Sequence, residues 1–123
     1  HDVSVPTSQI PAFLIEADAA VDRVAPGARV VAFGHVGDGN VHYDIAPPEG
    51  AAKDALDNLR PAIEDAVYSV IERYRGSISA EHGVGRHRRA SIAKRKSPVE
   101  MAMMRAVKTA LDPDGIMNPG KMV

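Results

Sequence analysis

The fold of this chain is decided by the stretch Phe33-Gly-His-Val-Gly-Asp-Gly-Asn-Val-His-Tyr-Asp44. Asp-Gly in a β-branched and apolar context predicts a hairpin with a two-residue type I′ turn, which needs positive φ at both turn residues. With Asp38 and Gly39 as that turn, counting outward predicts three cross-strand pairs: Gly37 with Asn40, Val36 with Val41, and His35 with His42. Paired residues have Cβ atoms about 4.5–5.5 Å apart and point to one face. The stretch therefore predicts two imidazoles that can converge on one metal ion.

The same register divides the hairpin into two unlike faces. One face is mostly apolar and is expected to pack: Ala32, Gly34, Val36, Val41, Tyr43 and Ile45. The other face carries Phe33, His35, Asn40, His42 and Asp44. A sheet with only a structural role has little use for that second set, although both histidines can also be ordinary polar residues of a solvated face. The residues alone leave both interpretations open.

The composition is typical of one soluble globular domain over residues 1–123, with 45% hydrophobic and 25% charged residues. The formal net charge of −1 argues against general attraction to nucleic acid or to an anionic membrane. The absence of cysteine excludes disulfides, thiolate nucleophiles and cysteine zinc sites. Because no stretch resembles a signal peptide or a transmembrane segment, the expected location is cytoplasmic. The opening residues read as the interior of an element, so we expect a fragment of a longer protein.

Strand and helix signals flank the hairpin. Asp2 to Pro6 predicts a short edge strand, and the helix that follows is expected to begin at a Ser8 cap and to end at Pro26-Gly27. Its apolar stripe is Ile10, Phe13, Leu14, Ala17, Val21 and Val24. Residues 51 to 75 predict a long helix that Pro61 kinks or divides and that Gly76 ends as the C′ residue. Its apolar face is Leu56, Leu59, Ile63, Val67, Val70, Ile71 and Tyr74.

The C-terminal part predicts a short strand at residues 77–79 and a well-capped helix. Ser97, Pro98 and Glu100 form the signature of a capping box. The expected buried stripe is Val99, Met103, Ala106, Val107 and Ala110 or Leu111, with Met101 and Met104 as further core filler. The order strand, helix, hairpin, helix, strand, helix predicts an α+β fold, close to a ferredoxin-like antiparallel sheet, with the helices packed on its apolar face.

The Gly-rich stretch Ala80-Glu-His-Gly-Val-Gly85 supplies a candidate third metal ligand and a candidate base. Glu81 follows the short strand, and two histidines with one carboxylate and an open fourth position are a catalytic zinc arrangement that also suits iron or manganese. Beside a bound dication His82 would be neutral and able to accept a proton. The alternative for His82 is an ordinary surface histidine.

Six cations fall within the eleven residues from Arg86 to Lys96. This basic run is consistent with a solvated helix face or linker, with attraction of an anionic substrate or cofactor, or with nucleic-acid binding. The last is disfavoured because no aromatic residues are interleaved with the cations.

Three separated motifs resemble the C-terminal domain of FAD-linked oxidases, the family of D-lactate dehydrogenases, the glycolate oxidase FAD subunit and D-2-hydroxyglutarate dehydrogenase. They are Gly34-His-Val-Gly-Asp-Gly-Asn-Val-His42, Ile78-Ser-Ala-Glu-His-Gly-Val-Gly85 and Leu111-Asp-Pro-Asp-Gly-Ile-Met-Asn-Pro-Gly-Lys121. The opening His1-Asp-Val-Ser-Val-Pro6 fits the same domain, so the resemblance spans essentially the whole chain. It implies an N-terminal FAD-binding domain in the same polypeptide and the oxidation of a D-2-hydroxy acid to the 2-oxo acid, with hydride passing to the flavin.

The resemblance also implies roles for six residues. It makes His35, His42 and Glu81 ligands of a divalent metal, expected to be zinc, His82 the base that takes the hydroxyl proton, and Asn118 and Lys121 part of a tail near the flavin. The implied partners are the hydroxy acid and the FAD-binding domain; a membrane surface, an electron acceptor and a second copy in a homodimer stay open, and nucleic acid is not expected. Two other functions stay open as well: a self-contained metal-dependent hydrolase and a noncatalytic binding module.

Overall fold

Three strands form an antiparallel sheet: β1 (Asp2–Ser4), β2 (Arg29–Phe33) and β3 (Asn40–Ala46), in the spatial order β1, β3, β2. The computed structural model describes residues 1–123 and divides them into a first unit, His1–His82, and a second unit, Gly83–Val123. The first unit holds the sheet with helices α1 (Ile10–Val24) and α2 (Arg60–Arg73), and the second holds α3 (Arg89–Arg95) and α4 (Pro98–Leu111). The predicted α+β class is confirmed, whereas the ferredoxin-like arrangement stays a prediction. None of the helices has both the length and the hydrophobicity needed to cross a membrane.

The hairpin register differs by two residues from the predicted one. β2 ends at Phe33, which lies opposite His42. A type I′ turn needs positive φ at both central residues, but of Asp38 and Gly39 only Gly39 has it, at 85°. The predicted pairs are therefore wrong: Gly37 with Asn40, Val36 with Val41, and His35 with His42.

A wider loop replaces the predicted tight turn. The carbonyl of His35 accepts hydrogen bonds from the N–H groups of Asp38 (3.1 Å) and Asn40 (3.2 Å). A short 3-10 turn, Val36–Asp38, lies between them, and Val36 is exposed rather than part of the apolar face. A shift of two residues keeps every strand residue on its predicted face, because side chains alternate with a period of two.

The β3 part of the predicted apolar face is buried and packs against α1, whereas Ala32 on β2 is exposed and Ile45 is partly exposed. Tyr43 is fully buried, and its ring centroid lies 6.0 Å from that of Phe13. Its hydroxyl donates a 2.6 Å hydrogen bond to the Asp18 carboxylate. Burial and this carboxylate raise the pKa of Tyr43 well above its ordinary value, so the hydroxyl stays a donor. Helix α2 adds further buried residues to the first unit: Ile63, Val67, Tyr68, Val70 and Ile71.

Helix α1 ends where the sequence predicts and begins one residue later. Ser8 lies in a 3-10 turn, Thr7–Gln9, and the N-cap residue is Gln9, without a side-chain cap, so the predicted Ser8 cap is wrong. The buried residues of the helix are Ile10, Phe13, Ala17, Ala20 and Val21. Leu14 and Val24 of the predicted stripe are partly exposed. The helix ends just before Pro26-Gly27, as predicted.

Helix α2 is shorter than the predicted segment of residues 51 to 75. Pro61 lies in its first turn, where the missing N–H has no helical partner to lose, so proline begins the helix instead of kinking it. Leu56 and Leu59 precede the helix and are partly exposed. At the other end Arg75, with φ 55°, is the C′ residue, and the prediction of Gly76 for that place is wrong.

Gly76 is needed for a close approach to β1. A Cβ added there would lie 2.2 Å from the Ser4 carbonyl oxygen. Ser77 follows and exchanges two hydrogen bonds with Ser4, of 2.9 and 2.8 Å. The strand predicted at residues 77–79 is therefore a single bridge beside β1.

In the second unit the capping box of α4 is confirmed. The Ser97 hydroxyl accepts from the Glu100 N–H (3.2 Å), and the Glu100 carboxylate accepts from the Ser97 N–H (3.0 Å). The predicted burial of its apolar stripe is wrong: Val99, Met103, Val107 and Leu111 are 59–74% exposed. Met101 is the residue of α4 that is buried. Part of the basic run forms α3, and a helix was one of the interpretations that the sequence left open for this run.

The tail after α4 folds back around Asp112. This buried carboxylate accepts hydrogen bonds from the N–H groups of Ile116 (3.0 Å) and Met117 (3.1 Å) and contacts the Lys108 ammonium. The contact with Lys108 lowers the pKa of Asp112. A cavity of about 430 Å³ lies between helix and tail, lined mainly by Met103, Met104, Val107, Leu111, Met117 and Met122.

Candidate metal and proton-transfer site

The carboxylate of Glu81 is the centre of a histidine cluster in the first unit. His42 projects from β3 on the polar face of the sheet, and His35 lies in the hairpin loop. Glu81 and His82 follow the bridge between Ser4 and Ser77. All four predicted residues come together, although His35 reaches the cluster from the loop and not from an opposing strand.

Three imidazoles approach this one carboxylate. The Nε2 atom of His42 lies 3.2 Å from Oε1 of Glu81, and Nε2 of His82 lies 3.5 Å from the same oxygen. Nδ1 of His35 lies 3.6 Å from the other oxygen, Oε2. Two ligands about 2.1 Å from a tetrahedral zinc ion are themselves about 3.4 Å apart. The distances from Glu81 to His42 and to His35 are close to this value. The group of donor atoms that all lie within 4.8 Å of one another, however, contains His42, Glu81 and His82 together with Asp2, and does not contain His35.

The rings leave the site open on one side. The His42 and His82 rings stack, with centroids 5.5 Å apart and planes at 24°. His42 is the most buried of the three histidines, with a side chain 17% exposed, whereas those of His35 and His82 are 65% and 63% exposed. Phe33 packs against the His42 ring at 5.1 Å and is itself half exposed. A small polar molecule can therefore reach the cluster.

Asp2 is a residue of the site that the sequence did not reveal. It lies opposite His42 on β1 and is 2% exposed. Its carboxylate belongs with His42, Glu81 and His82 to a group whose donor atoms all lie within 4.8 Å of one another. The only signal in the sequence was the alternation of polar and apolar residues in the first strand, which does not separate Asp2 from any polar strand residue.

Asn40 adds an unsatisfied acceptor to the same face of the sheet. It lies two residues before His42 on β3 and is 6% exposed. Its Oδ1 is buried without a hydrogen-bond partner. Buried acceptors of this kind are usually satisfied by a water molecule or a ligand.

The family model for the C-terminal domain of FAD linked oxidases matches residues 1–122. The chain belongs to this family. It is 44% identical over 122 residues to a D-2-hydroxyglutarate dehydrogenase of Stutzerimonas stutzeri (strain A1501), with 99% of this chain and 26% of the relative covered. The relative of the same name in Xanthomonas citri pv. viticola is 38% identical over 99% of this chain and 26% of its own length.

A mitochondrial D-2-hydroxyglutarate dehydrogenase of Arabidopsis thaliana is 40% identical, with 100% of this chain and 21% of the relative covered. The chain thus spans about a quarter or less of the length of the curated relatives it matches. The family predicted from the three motifs is confirmed, and FAD is the cofactor in the family's name.

The tail motif of this FAD-linked oxidase domain lies in the second unit. Asn118 has φ 47°, and its carbonyl accepts a 3.3 Å hydrogen bond from the Lys121 N–H, so both residues form an exposed turn. Lys121 also lines the apolar cavity beside α4.

Proposed function

We propose that this chain supplies the metal site and the catalytic base of an FAD-dependent dehydrogenase that oxidises a D-2-hydroxy acid to the 2-oxo acid. The convergence of three imidazoles on the Glu81 carboxylate carries the proposal. Membership of the FAD-linked oxidase family supports it as well. The names of the most similar relatives favour D-2-hydroxyglutarate among the 2-hydroxy acids.

His35, His42 and Glu81 would hold the metal, with zinc as the expected ion. When bound, it would make the substrate hydroxyl more acidic and fix the orientation of the hydroxy acid. The half-buried His42 and the carboxylate of Glu81 supply one neutral and one anionic ligand. Glu81 lies beside all three imidazoles, so it is in contact with both the other proposed metal ligands and the proposed base.

His82 accepts the hydroxyl proton in the proposed reaction. Its Nε2 lies on the Glu81 side of the ring, while its Nδ1 faces Asp2 at 3.9 Å. The hydrogen on the 2-carbon of the substrate leaves as hydride, with both electrons of its C–H bond. A flavin, when bound, would supply the acceptor for this hydride. One proton and one hydride thus leave each substrate, which yields the 2-oxo acid. Asn118 and Lys121 are proposed to contact the flavin.

The variant His82→Asn tests the base in the full-length protein. We expect normal zinc content and slower flavin reduction by the hydroxy acid, by about 10²–10⁴-fold, because the acceptor of the proton is lost. His87→Asn, which alters an exposed histidine outside the cluster, is the matched control. Unchanged flavin reduction in His82→Asn, followed by stopped-flow absorbance, would remove His82 from the base role.

The same preparations separate the other two candidate functions. A self-contained hydrolase predicts zinc-dependent turnover without flavin, and a noncatalytic module predicts that neither zinc nor His82 matters. The proposed dehydrogenase predicts neither result. A cytoplasmic location is a further part of the proposal, whereas the Arabidopsis relative is named a mitochondrial protein. A homodimer stays open.

A further inference from the structure

Asp2 connects the first strand of the sheet to the residues that carry the proposed chemistry. It is an almost fully buried carboxylate, at 2% exposure, next to His42 in the sheet. We infer that Asp2 is a positioning residue, which holds the Glu81-His82 dipeptide against His42 through its backbone and so fixes a metal ligand and the base together. This inference rests on the proposed function for the roles of Glu81 and His82.

Three consecutive backbone N–H groups donate to Asp2. The N–H of Ala80 donates to the Asp2 carbonyl oxygen at 3.2 Å. The N–H of Glu81 donates to the two carboxylate oxygens at 3.3 and 3.2 Å, and the N–H of His82 donates to Oδ2 at 2.9 Å. Upstream, the paired bonds between Ser4 and Ser77 hold the start of the same segment. The segment is therefore hydrogen-bonded to β1 at residue 77 and at residues 80–82.

The segment that Asp2 holds has little regular secondary structure of its own. Residues 79–82 lie outside every helix and strand, and the next residue, Gly83, is exposed with φ 73°. Hydrogen bonds from backbone N–H groups to an ionised carboxylate are stronger than those to neutral acceptors, and a buried carboxylate requires them. Loss of the Asp2 side chain would thus free the backbone at Glu81 and His82 while the sheet keeps its ladder.

Asp2 could instead bind the metal directly, because its donor atoms fall within the 4.8 Å group. The observed hydrogen bonds favour the positioning role, since Oδ2 already accepts from two N–H groups. An asparagine can keep both of these bonds with its single amide oxygen. The substitution Asp2→Asn therefore separates a positioning carboxylate from a coordinating one.

The test compares Asp2→Ala, Asp2→Asn and the control Asp112→Ala in the full-length protein. Asp112 is a matched control because it is another buried aspartate that accepts two backbone N–H groups, and it lies outside the cluster. Zinc affinity is measured by competition with a chelating dye at a temperature at which circular dichroism shows every variant to be folded. Hydrogen exchange of the peptide spanning residues 77–86 is measured by mass spectrometry without zinc.

We expect Asp2→Ala to weaken zinc binding about 10–100-fold, the usual effect of losing a residue that orients a ligand, and to accelerate exchange in the peptide spanning residues 77–86. Asp2→Asn should restore both properties in large part, and Asp112→Ala should leave both at the parent values. Parent-like zinc affinity in folded Asp2→Ala would overturn the inference. Equal loss of zinc in Asp2→Asn and Asp2→Ala would overturn it in favour of direct coordination.

The two measurements distinguish failure of the inference from failure of the proposed function. A parent protein that binds no zinc contradicts the proposed metal site. In that event the hydrogen-exchange experiment still tests whether Asp2 holds the segment, because protection of the backbone at residues 77–86 needs no metal. Protection that is unchanged in Asp2→Ala would show that Asp2 does not hold the segment.

Discussion

Each unit of this chain has a buried aspartate that accepts hydrogen bonds from two backbone N–H groups. The side chains of the two segments held in this way differ in character. Asp2 accepts from the N–H groups of Glu81 and His82 in the first unit, and Asp112 accepts from those of Ile116 and Met117 in the second. The first arrangement brings charged and basic side chains to one point. The second folds a methionine-rich tail against an apolar helix face that stays exposed. A buried aspartate that accepts from backbone N–H groups therefore does not by itself indicate a catalytic or metal site. The side chains of the segment that it holds indicate such a site.

The largest expected effect is on the metal site of the first unit. Glu81→Ala should abolish tight zinc binding, a loss of more than about 100-fold in affinity, because this carboxylate lies beside all three imidazoles. Glu49→Ala, which alters an exposed loop glutamate, is the control and should bind zinc normally. Zinc affinity from dye competition is the measurement. Parent-like zinc affinity in Glu81→Ala would show that Glu81 is not a metal ligand, and the proposed difference in function between the two units would be lost.

The second prediction compares two apolar stripes. Phe13→Ala removes a fully buried ring of the first unit and should lower the free energy of unfolding by about 3–5 kcal/mol. Val107→Ala, on the α4 stripe, should change it by no more than about 0.5 kcal/mol, because this side chain is 59% exposed. Denaturant unfolding followed by circular dichroism measures both. A loss of several kcal/mol in Val107→Ala would show that the α4 face is buried in solution.

A smaller effect is expected at the hydrogen bond between sheet and helix in the first unit. Tyr43→Phe keeps the buried ring and removes the bond to the Asp18 carboxylate. We expect a loss of about 1.5–3 kcal/mol in the free energy of unfolding, typical of a hydrogen bond to a charged acceptor. The double variant with Asp18→Ala should show that the two losses are not additive. Full additivity would mean that the two groups do not interact.

The smallest effect concerns the capping box of the second unit. Hydrogen bonds from Lys96, first, and from Ser97 lower the pKa of Glu100 to about 2. A carboxyl group with a lowered pKa stabilises the fold above its unfolded pKa, about 4.3, and this contribution disappears as the pH falls toward 2. The melting temperature of Glu100→Gln should therefore lie slightly below that of the parent at pH 6 and converge with it near pH 2. Curves that stay parallel over this range would exclude the ionised cap.

The helix cap and the faces of the strands could be predicted from the sequence, whereas the register of the hairpin could not. The capping box at Ser97 was predictable because its donors and acceptors lie within one helical turn. The faces of the hairpin were predictable because alternation survives a shift of two residues. The register was not, because the His35 carbonyl accepts from two N–H groups and widens the loop.

The cluster residues could be named from the sequence, whereas its support could not. His35, His42, Glu81 and His82 lie in recognisable motifs, and the structure brings them together. Asp2 lies about 80 residues before Glu81 and belongs to no metal or catalytic motif, so only the folded chain reveals it. The periodicity of α4 correctly predicted an apolar helix face but not its exposure, because periodicity does not show what covers such a face.

The central claim is that His35, His42 and Glu81 hold a divalent metal ion. Elemental analysis of the full-length protein after zinc loading and desalting, beside His42→Ala treated in the same way, tests it most directly. We expect about one zinc ion per chain in the parent and only a background amount in the variant. A parent without bound metal, or a His42→Ala variant with the same zinc content as the parent, would show that these residues do not hold a metal ion.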